Sequence, residues 1–438
     1  MVVSVVGGGL AGSEAAWQLA ERGCSVVLHE MRPARMTPAH HTDRLAELVC
    51  SNTFKSTERT NAHGLLKAEM RCLSSMILEA ADEARVPGGT ALAVDRDRFS
   101  AAVTSRIAGH PRITVHRAEV VDLPSPGIVA TGPLTSDALS QAITVALGQH
   151  ALAFYDAIAP IIDVESIDTA VAFRASRYDK ETSNEIADDV GAYLNCPFDR
   201  SEYETFLDAL LSADQHQGHT FDEVPYFEGC LPVEVMAARG RDVLRFGPMK
   251  PVGLADPRTG KRPYAVAQLR METRAGQMWN LVGFQTRLRI PEQQRVFRLI
   301  PGLANAEFLR YGSIHRNAYV NAPATLSPYL SARGDPRLLF AGQITGVEGY
   351  TESAATGLLA GRNLARLLDG EEPTIPPPTT MLGALYRYLR EAEPRHFQPM
   401  NANFGLLDPL PEEVRDKRLK REQFAERSLA DLAAWSSR

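Results

Sequence analysis

Three glycines at fixed spacing, Gly7, Gly9 and Gly12, follow an apolar run at residues 2–6 and precede a helical stretch at 14–22. That order suits a dinucleotide pyrophosphate. Gly7 permits the tight turn out of a strand, Gly9 lets the backbone approach the anion, and Gly12 lets the helix pack closely on the sheet, with its N-terminus facing the phosphates. Gly8, Leu10 and Ala11 complete this turn, and a second apolar run at 26–29 leads to Glu30, an acid spaced to meet a ribose hydroxyl pair. A second glycine turn lies far along the chain, in Ala341-Gly342-Gln343-Ile-Thr-Gly346, before a small-residue helix expected over 352–368. A late turn of this kind completes a flavin site: a helix N-terminus there meets the N1 and O2 region of the ring, which gains negative charge on reduction. Gly342, Gln343, Gly346, Gly349 and Thr351 are the residues expected to make that approach. Gly132, in Thr131-Gly-Pro133 at the carboxyl edge of another expected strand, is a further candidate contact.

These turns need a sheet to hold them. Residues 1–31 read as strand, helix, strand, with short strands at 91–94, 113–117 and 127–130 and a helix at 136–147. The expected class is α/β: a doubly wound, glutathione-reductase-like Rossmann domain that binds FAD. From about 188 to 301 the pattern changes to longer helices and proline-rich turns, which implies an inserted α+β domain. The expected division is therefore 1–187 for the first part of the FAD domain, 188–301 for the insert, and 302–438 for the second part with closing helices. No second G-x-G-x-x-G follows, so a separate, stable nicotinamide domain is not expected.

With 438 residues, of which 44% are hydrophobic, the chain can bury a large core. No apolar run is long enough to span a membrane, no leader is evident, and five cysteines without C-x-x-C spacing suit a reducing cytoplasm rather than a disulfide framework. The net charge of -6 argues against indiscriminate coating of nucleic acid, yet thirteen Lys and Arg face only four acids between Ala237 and Arg298. Such a segment suits a polyanion; arginines scattered over several faces would produce the same count. Residues 415–427 alternate in sign and read as an exposed helix with internal ion pairs.

Several stretches together resemble the folate- and FAD-dependent tRNA (uracil-5-)-methyltransferases. They are Gly7-Gly-Gly-Leu-Ala-Gly12, Leu48-Val-Cys-Ser-Asn-Thr-Phe-Lys-Ser56, Thr60-Asn-Ala-His-Gly-Leu-Leu-Lys-Ala-Glu-Met-Arg71, Phe227-Glu-Gly-Cys-Leu-Pro-Val-Glu234, Leu244-Arg-Phe-Gly-Pro-Met-Lys-Pro-Val-Gly-Leu254, Ala341-Gly-Gln-Ile-Thr-Gly-Val-Glu-Gly-Tyr-Thr-Glu352 and Asn403-Phe-Gly-Leu-Leu407. The first and the Gly342 segment are shared with a related flavoprotein that modifies wobble uridines in tRNA, which is the alternative reading; the Cys50, Cys230 and Arg245 segments are not.

The resemblance implies methylation of C5 of uracil at position 54 in the T loop of tRNA. Reduced flavin would carry the one-carbon unit from 5,10-methylenetetrahydrofolate and supply the hydride, with NADPH or NADH re-reducing it. C5 of uracil is a poor nucleophile until a thiolate adds at C6, so such an enzyme needs a cysteine beside the base and a partner for the C5 proton. Cys230 is the expected nucleophile and Cys50 the flavin-side partner or C5 base. tRNA would bind through the basic segment at 239–298, with no obligate protein partner. Cys24, Cys72 and Cys196 read as inert core residues. Lys67, Glu69 and Arg71 read either as folate or RNA contacts or as a solvated helix face. His216 and His219 lack a third ligand, and no metal is expected.

Overall fold

The computed structural model describes residues 2–148, 152–179, 192–215, 231–272 and 276–437. The strand Val2–Val6 lies at the centre of a six-stranded sheet, parallel to Ser25–His29 on one side and to Gly127–Val129 on the other. Ile113–His116 extends the sheet beyond Ser25–His29, and Asp335–Phe340 pairs in parallel with Gly127–Val129. Only the edge strand Ser331–Ala332 is antiparallel. Alternate residues of the central strand, Val3 and Val5, are fully buried, as a sheet covered by helices on its faces requires. The strand Asp335–Phe340 shows that the chain's last third returns to complete the nucleotide domain.

The helix Leu10–Glu21 leaves the first glycine turn and crosses Tyr350–Leu368, the helix that follows the second. Their backbones meet through small residues. A Cβ on Gly357 would stand 2.2 Å from Ala11 O, and one on Gly361 would stand 2.6 Å from Ala15 O. Ala11, Ala15 and Ala16 on the facing helix are 5% exposed or less. This contact joins residues more than 340 positions apart and carries the Gly342 turn onto the Gly7 turn.

The inserted unit is organised by strands. Phe173–Ala175, Tyr193–Phe198, Ala265–Met271, Met278–Leu281, Ile161–Asp163 and Phe308–Arg310 form one antiparallel sheet in that order. Its own core gathers Leu194, Phe198, Phe206, Trp279, Phe284 and Phe297. The limits expected at 188 and 301 thus fall inside this sheet, which recruits strands from 161 to 310. The sheet reading also replaces the expectation of longer helices there, since Arg200–Leu211 is the one helix of more than eight residues among the described residues of 188–301. Short strands separated by proline and glycine carry too little periodicity to mark a sheet whose partners lie over a hundred residues apart. An antiparallel pair, Leu152–Ile158 with Ser313–Tyr319, carries the chain into and out of this unit.

The remaining elements stay close to expectation: Ala91–Val94, Asp137–Leu147, Met381–Glu391 and Lys417–Ser436 are formed. No helix among the described residues is long and apolar enough to cross a membrane.

The helix crossing has a direct test. Gly357→Ala should destabilise the protein by about 1–3 kcal/mol through overpacking against Ala11 and release bound flavin on mild heating. Gly109→Ala, at an exposed helix end where a Cβ meets nothing within 4 Å, should leave the thermal midpoint near that of the wild type.

Candidate functional site

The two glycine turns form the walls of one cavity of about 1040 Å³, counted with its open mouth. Gly7, Gly8, Gly9, Leu10 and Ala11 line it from the first turn, Glu30 to Arg32 from the end of the second strand, Thr131 to Ser136 from the third, and Gly342 and Gln343 from the second turn. Gly7 sits at φ +105°, where a side chain is strained. Gly9 caps the helix Leu10–Glu21 without any side-chain hydrogen bond, so the helix's first N–H groups are free to meet an anion. Gly342 donates its N–H to Thr356 Oγ1 at 2.7 Å, and its Cα lies so near Ala11 that a Cβ would stand 2.8 Å from the Ala11 Cβ. A cavity with an uncapped helix N-terminus and a second glycine turn in its walls fits FAD.

Four sequence-predicted contacts serve the walls instead of lining the cavity, among them Gly349, where a Cβ would stand 2.2 Å from Glu352 Oε2. Gly12 lets the helix press on the turn, since a Cβ there would fall 1.8 Å from Gly7 O. Gly346 gives room to Phe397, whose ring a Cβ would meet at 2.4 Å. Thr351 is buried, with its hydroxyl 3.4 Å from Phe54 O.

Glu30 is at the expected place and is engaged more heavily than spacing alone suggests. It accepts from Gly8 N at 3.1 Å and from both Nε and Nη2 of Arg32 at 2.9 and 3.0 Å. Burial works to raise its pKa, but the Arg32 hydrogen bond and charge outweigh it and hold the carboxyl below the usual carboxylate range. Arg32 is 2% exposed and reaches Glu47 with Nη1 at 3.0 Å. His40, beside them, is pushed down by burial and then by Arg32, so it meets a ligand as neutral imidazole. Arg32, His40 and Glu47 also line the cavity. Sequence reasoning missed them; the available signal was an arginine two residues past Glu30.

Cys50 is half-buried and directly follows Val49, a cavity residue. Its N–H donates to Tyr350 Oη at 2.8 Å, and Ser51 N–H donates to the same oxygen at 3.1 Å. Tyr350 lines the cavity as well, and burial first, then Cys50, raises its phenol pKa, so it accepts these bonds as a neutral hydroxyl. Cys50 is thereby tied to the cavity through its neighbour Val49 and its partner Tyr350. Cys230, His216 and His219 lie outside the described residues.

The remaining cysteines and the 60–71 motif divide clearly. Cys196 is wholly buried and its thiol is pushed up to about 12 by burial, which suits an inert core residue. Cys24 is half-buried against the main core, whereas Cys72, at the end of the helix Ala62–Cys72, is exposed and is not a core residue. Lys67 is fully buried and donates to Phe54 O and His63 O at 2.7 and 2.8 Å, its pKa lowered to about 7 by burial. Glu69 accepts from Met381 N and Leu382 N at 2.7 and 2.8 Å and caps the helix Met381–Glu391. Only Arg71 faces solvent, paired with Asp82. Neither expected role fits Lys67 or Glu69: both satisfy backbone inside the fold.

In the basic segment, Arg241, Arg245, Arg258 and Arg295 pair with Asp208, Asp242, Asp256 and Glu292. Arg270 is buried and donates to Asn52 Oδ1 at 3.0 Å, while Arg274 lies outside the described residues. Lys250, Lys261 and Arg262 are exposed and have no carboxylate partner within 4 Å among the described residues.

Comparison with known proteins adds four findings. The family model described as Glucose inhibited division protein A matches residues 2–372. A Geobacter sulfurreducens protein named methylenetetrahydrofolate-tRNA-(uracil-5-)-methyltransferase TrmFO is 56% identical over 435 residues, covering 99% of this chain and 98% of its own. A Heliobacterium modesticaldum protein of the same name is 56% identical over 434 residues, covering 99% and 97%. Among solved structures, Aquifex aeolicus GidA in its form II crystal superposes with a TM-score of 0.69 over 99% of this chain and 73% of that one, at 17% identity, a likeness of fold.

Two outcomes follow from the buried charges. Arg32→Ala would strand the Glu30 carboxylate without its charge partner, so it should cost about 3–5 kcal/mol and yield protein with little flavin absorbance. Glu352 is 1% exposed; burial opposes its ionisation, but His63, Lys55 and Ala402 N–H outweigh that and hold it at about 2. Because this folded pKa lies below the unfolded one, the stabilisation is complete above about pH 4.5 and is lost as pH falls toward 2. Urea midpoints of Glu352→Gln should therefore fall less steeply than those of wild type between about pH 5 and pH 3.

Proposed function

The chain belongs to the methylenetetrahydrofolate-tRNA-(uracil-5-)-methyltransferase TrmFO family, within the wider Glucose inhibited division protein A family, and on that footing we propose that it methylates C5 of a uracil in tRNA. The one-carbon donor is 5,10-methylenetetrahydrofolate and the resident cofactor is FAD. The observation that carries this reading is the single cavity built from both glycine turns, with the loop of Cys50 in its wall beside Tyr350. When bound, the flavin supplies a carrier for the one-carbon unit and the reducing electrons.

The chain's own groups account for the remaining requirements. The N-terminus of Leu10–Glu21 offers N–H groups to the pyrophosphate, and Glu30, kept ionised by Arg32, offers carboxylate oxygens to a ribose. Cys230 is assigned as the nucleophile toward C6 of the uracil, on its Glu228-Gly-Cys-Leu-Pro232 setting. Its thiolate bonds to C6, and the electron pair displaced from the C5–C6 bond makes C5 nucleophilic. C5 then bonds to the one-carbon unit, and Cys50 takes the proton that C5 still carries. The electron pair left behind restores the C5–C6 double bond as the C6–S bond breaks and Cys230 leaves as thiolate; hydride from the reduced cofactor would complete the methyl group. Lys250, Lys261 and Arg262 are the proposed contacts to tRNA phosphates, whereas Arg241, Arg245, Arg258 and Arg295 are paired with carboxylates and Arg270 with Asn52. Uracil 54 of the T loop as target and NADPH or NADH as the source of electrons complete the reading.

The test combines flavin-loaded protein, unmodified tRNA transcript, NADPH and methylenetetrahydrofolate, with 5-methyluridine followed by nucleoside mass spectrometry. Product should require folate and should fall to background in Cys230→Ala. Product formed from S-adenosylmethionine instead of folate would refute the donor, and product insensitive to Cys230→Ala would refute the assigned nucleophile.

A further inference from the structure

The segment 48–52 lies between elements and has no ladder of its own, so its backbone groups must find partners elsewhere. Three side chains from distant parts of the chain supply them. Arg96 donates to Leu48 O with Nη1 at 2.8 Å and to Cys50 O with Nη2 at 3.1 Å. Arg310 donates to Val49 O at 3.0 Å, and Tyr350 accepts from Cys50 N and Ser51 N. Asn52 donates to Met271 O at 2.8 Å. Arg310 and Met271 belong to strands of the inserted sheet.

Arg96 is itself held from the inserted unit. Its Nε and Nη2 reach the two carboxylate oxygens of Glu272 at 2.6 and 3.3 Å, and Glu272, just past the strand Ala265–Met271, is 1% exposed. One planar guanidinium thus fixes two carbonyls of the Cys50 loop and is oriented by one buried carboxylate. A lysine could not make these bonds together, because its donors radiate from a single point.

We propose that Arg96 is a positioning residue for Cys50, and that Glu272, by holding Arg96, ties the place of this thiol to the inserted sheet. The proposal rests on the reading of Cys50 as a catalytic residue. Its consequence is mechanical: an RNA seated on the inserted unit acts on Glu272, Arg310 and Met271, and through them on the cysteine at the flavin cavity. Separation of the two units would withdraw the loop's carbonyl partners.

The experiment uses full-length FAD-loaded enzyme as wild type, Arg96→Gln, Arg96→Lys, Glu272→Gln, the Arg96→Gln/Glu272→Gln double variant and Cys50→Ala. Two quantities are read: 5-methyluridine formation, separated into kcat and the KM for tRNA, and the rate at which iodoacetamide labels Cys50, by peptide mass spectrometry. Flavin absorbance reports that the fold is intact. Arg96→Gln should lower kcat about a hundredfold, the scale of a displaced reacting group, with KM for tRNA unchanged and Cys50 labelling altered severalfold. Arg96→Lys should fail to restore kcat. Glu272→Gln should act in the same direction more weakly, and the double variant should be no worse than Arg96→Gln, as residues acting through one contact require.

Wild-type kcat and labelling in flavin-loaded Glu272→Gln and Arg96→Gln, with product lost in Cys50→Ala, would overturn the positioning role and leave the role of Cys50 standing. Full product from Cys50→Ala would overturn the role of Cys50 and the proposal with it. If Arg96→Gln does not hold flavin, Glu272→Gln decides, since it leaves the arginine and its carbonyl partners in place.

Discussion

The close crossing of Leu10–Glu21 with Tyr350–Leu368 is the constraint on which the rest of the molecule depends. Each helix begins at a glycine turn, and both turns line one cavity. Gly357 and Gly361 let the backbones approach until a methyl group on either would fall within 2.6 Å of an Ala11 or Ala15 carbonyl. The facing positions are alanines with almost no exposed surface. Dispersion between closely packed small residues depends steeply on separation, so the crossing fixes the distance between the turns as well as joining them. The parallel pairing of Asp335–Phe340 with Gly127–Val129 secures the same return from the sheet side.

A second constraint is electrostatic. Charges removed from water are satisfied at the cavity and behind the Cys50 loop: Glu30 and Glu47 by Arg32 at the cavity, and Glu272 by Arg96 behind the loop. Such pairs gain little net stability over a well-packed apolar core, but removing one partner leaves a costly charge. Their use here is geometric. Each guanidinium orients several acceptors at once, so a loop without regular structure is held as firmly as a strand. The inserted antiparallel sheet contributes through Glu272, by way of Arg96, and through Arg310, which hold the Cys50 loop from a unit with its own hydrophobic core.

Charge counted along the chain and charge available on the surface differ for the same reason. The segment from Ala237 to Arg298 is strongly basic, yet much of it is spent on local aspartates and glutamates or on Asn52. A polyanion can meet only those side chains left exposed, such as Lys250, Lys261 and Arg262. Likewise Lys67 and Glu69 look like solvated helix charges in sequence, but they cap and bridge backbone in the interior. Side-chain charge is local information; its burial is not.

What the sequence determined by itself is the nucleotide site's two ends and the class of fold. The strand, turn and helix at residues 2–21, the acid at Glu30 and the glycines at 342 and 346 are short-range patterns, dictated by backbone geometry that few residues other than glycine tolerate. Cys50 stood out through its neighbours in sequence. Tertiary structure alone decided which glycines line the cavity and which support it, that Arg32 engages Glu30, and that the inserted sheet extends from 161 to 310. It alone decided that Tyr350, Arg96, Glu272 and Arg310 converge on the Cys50 loop. These outcomes rest on contacts between residues tens to hundreds of positions apart, whose partners are chosen by packing and by the need to satisfy buried polar groups, and no local pattern encodes them.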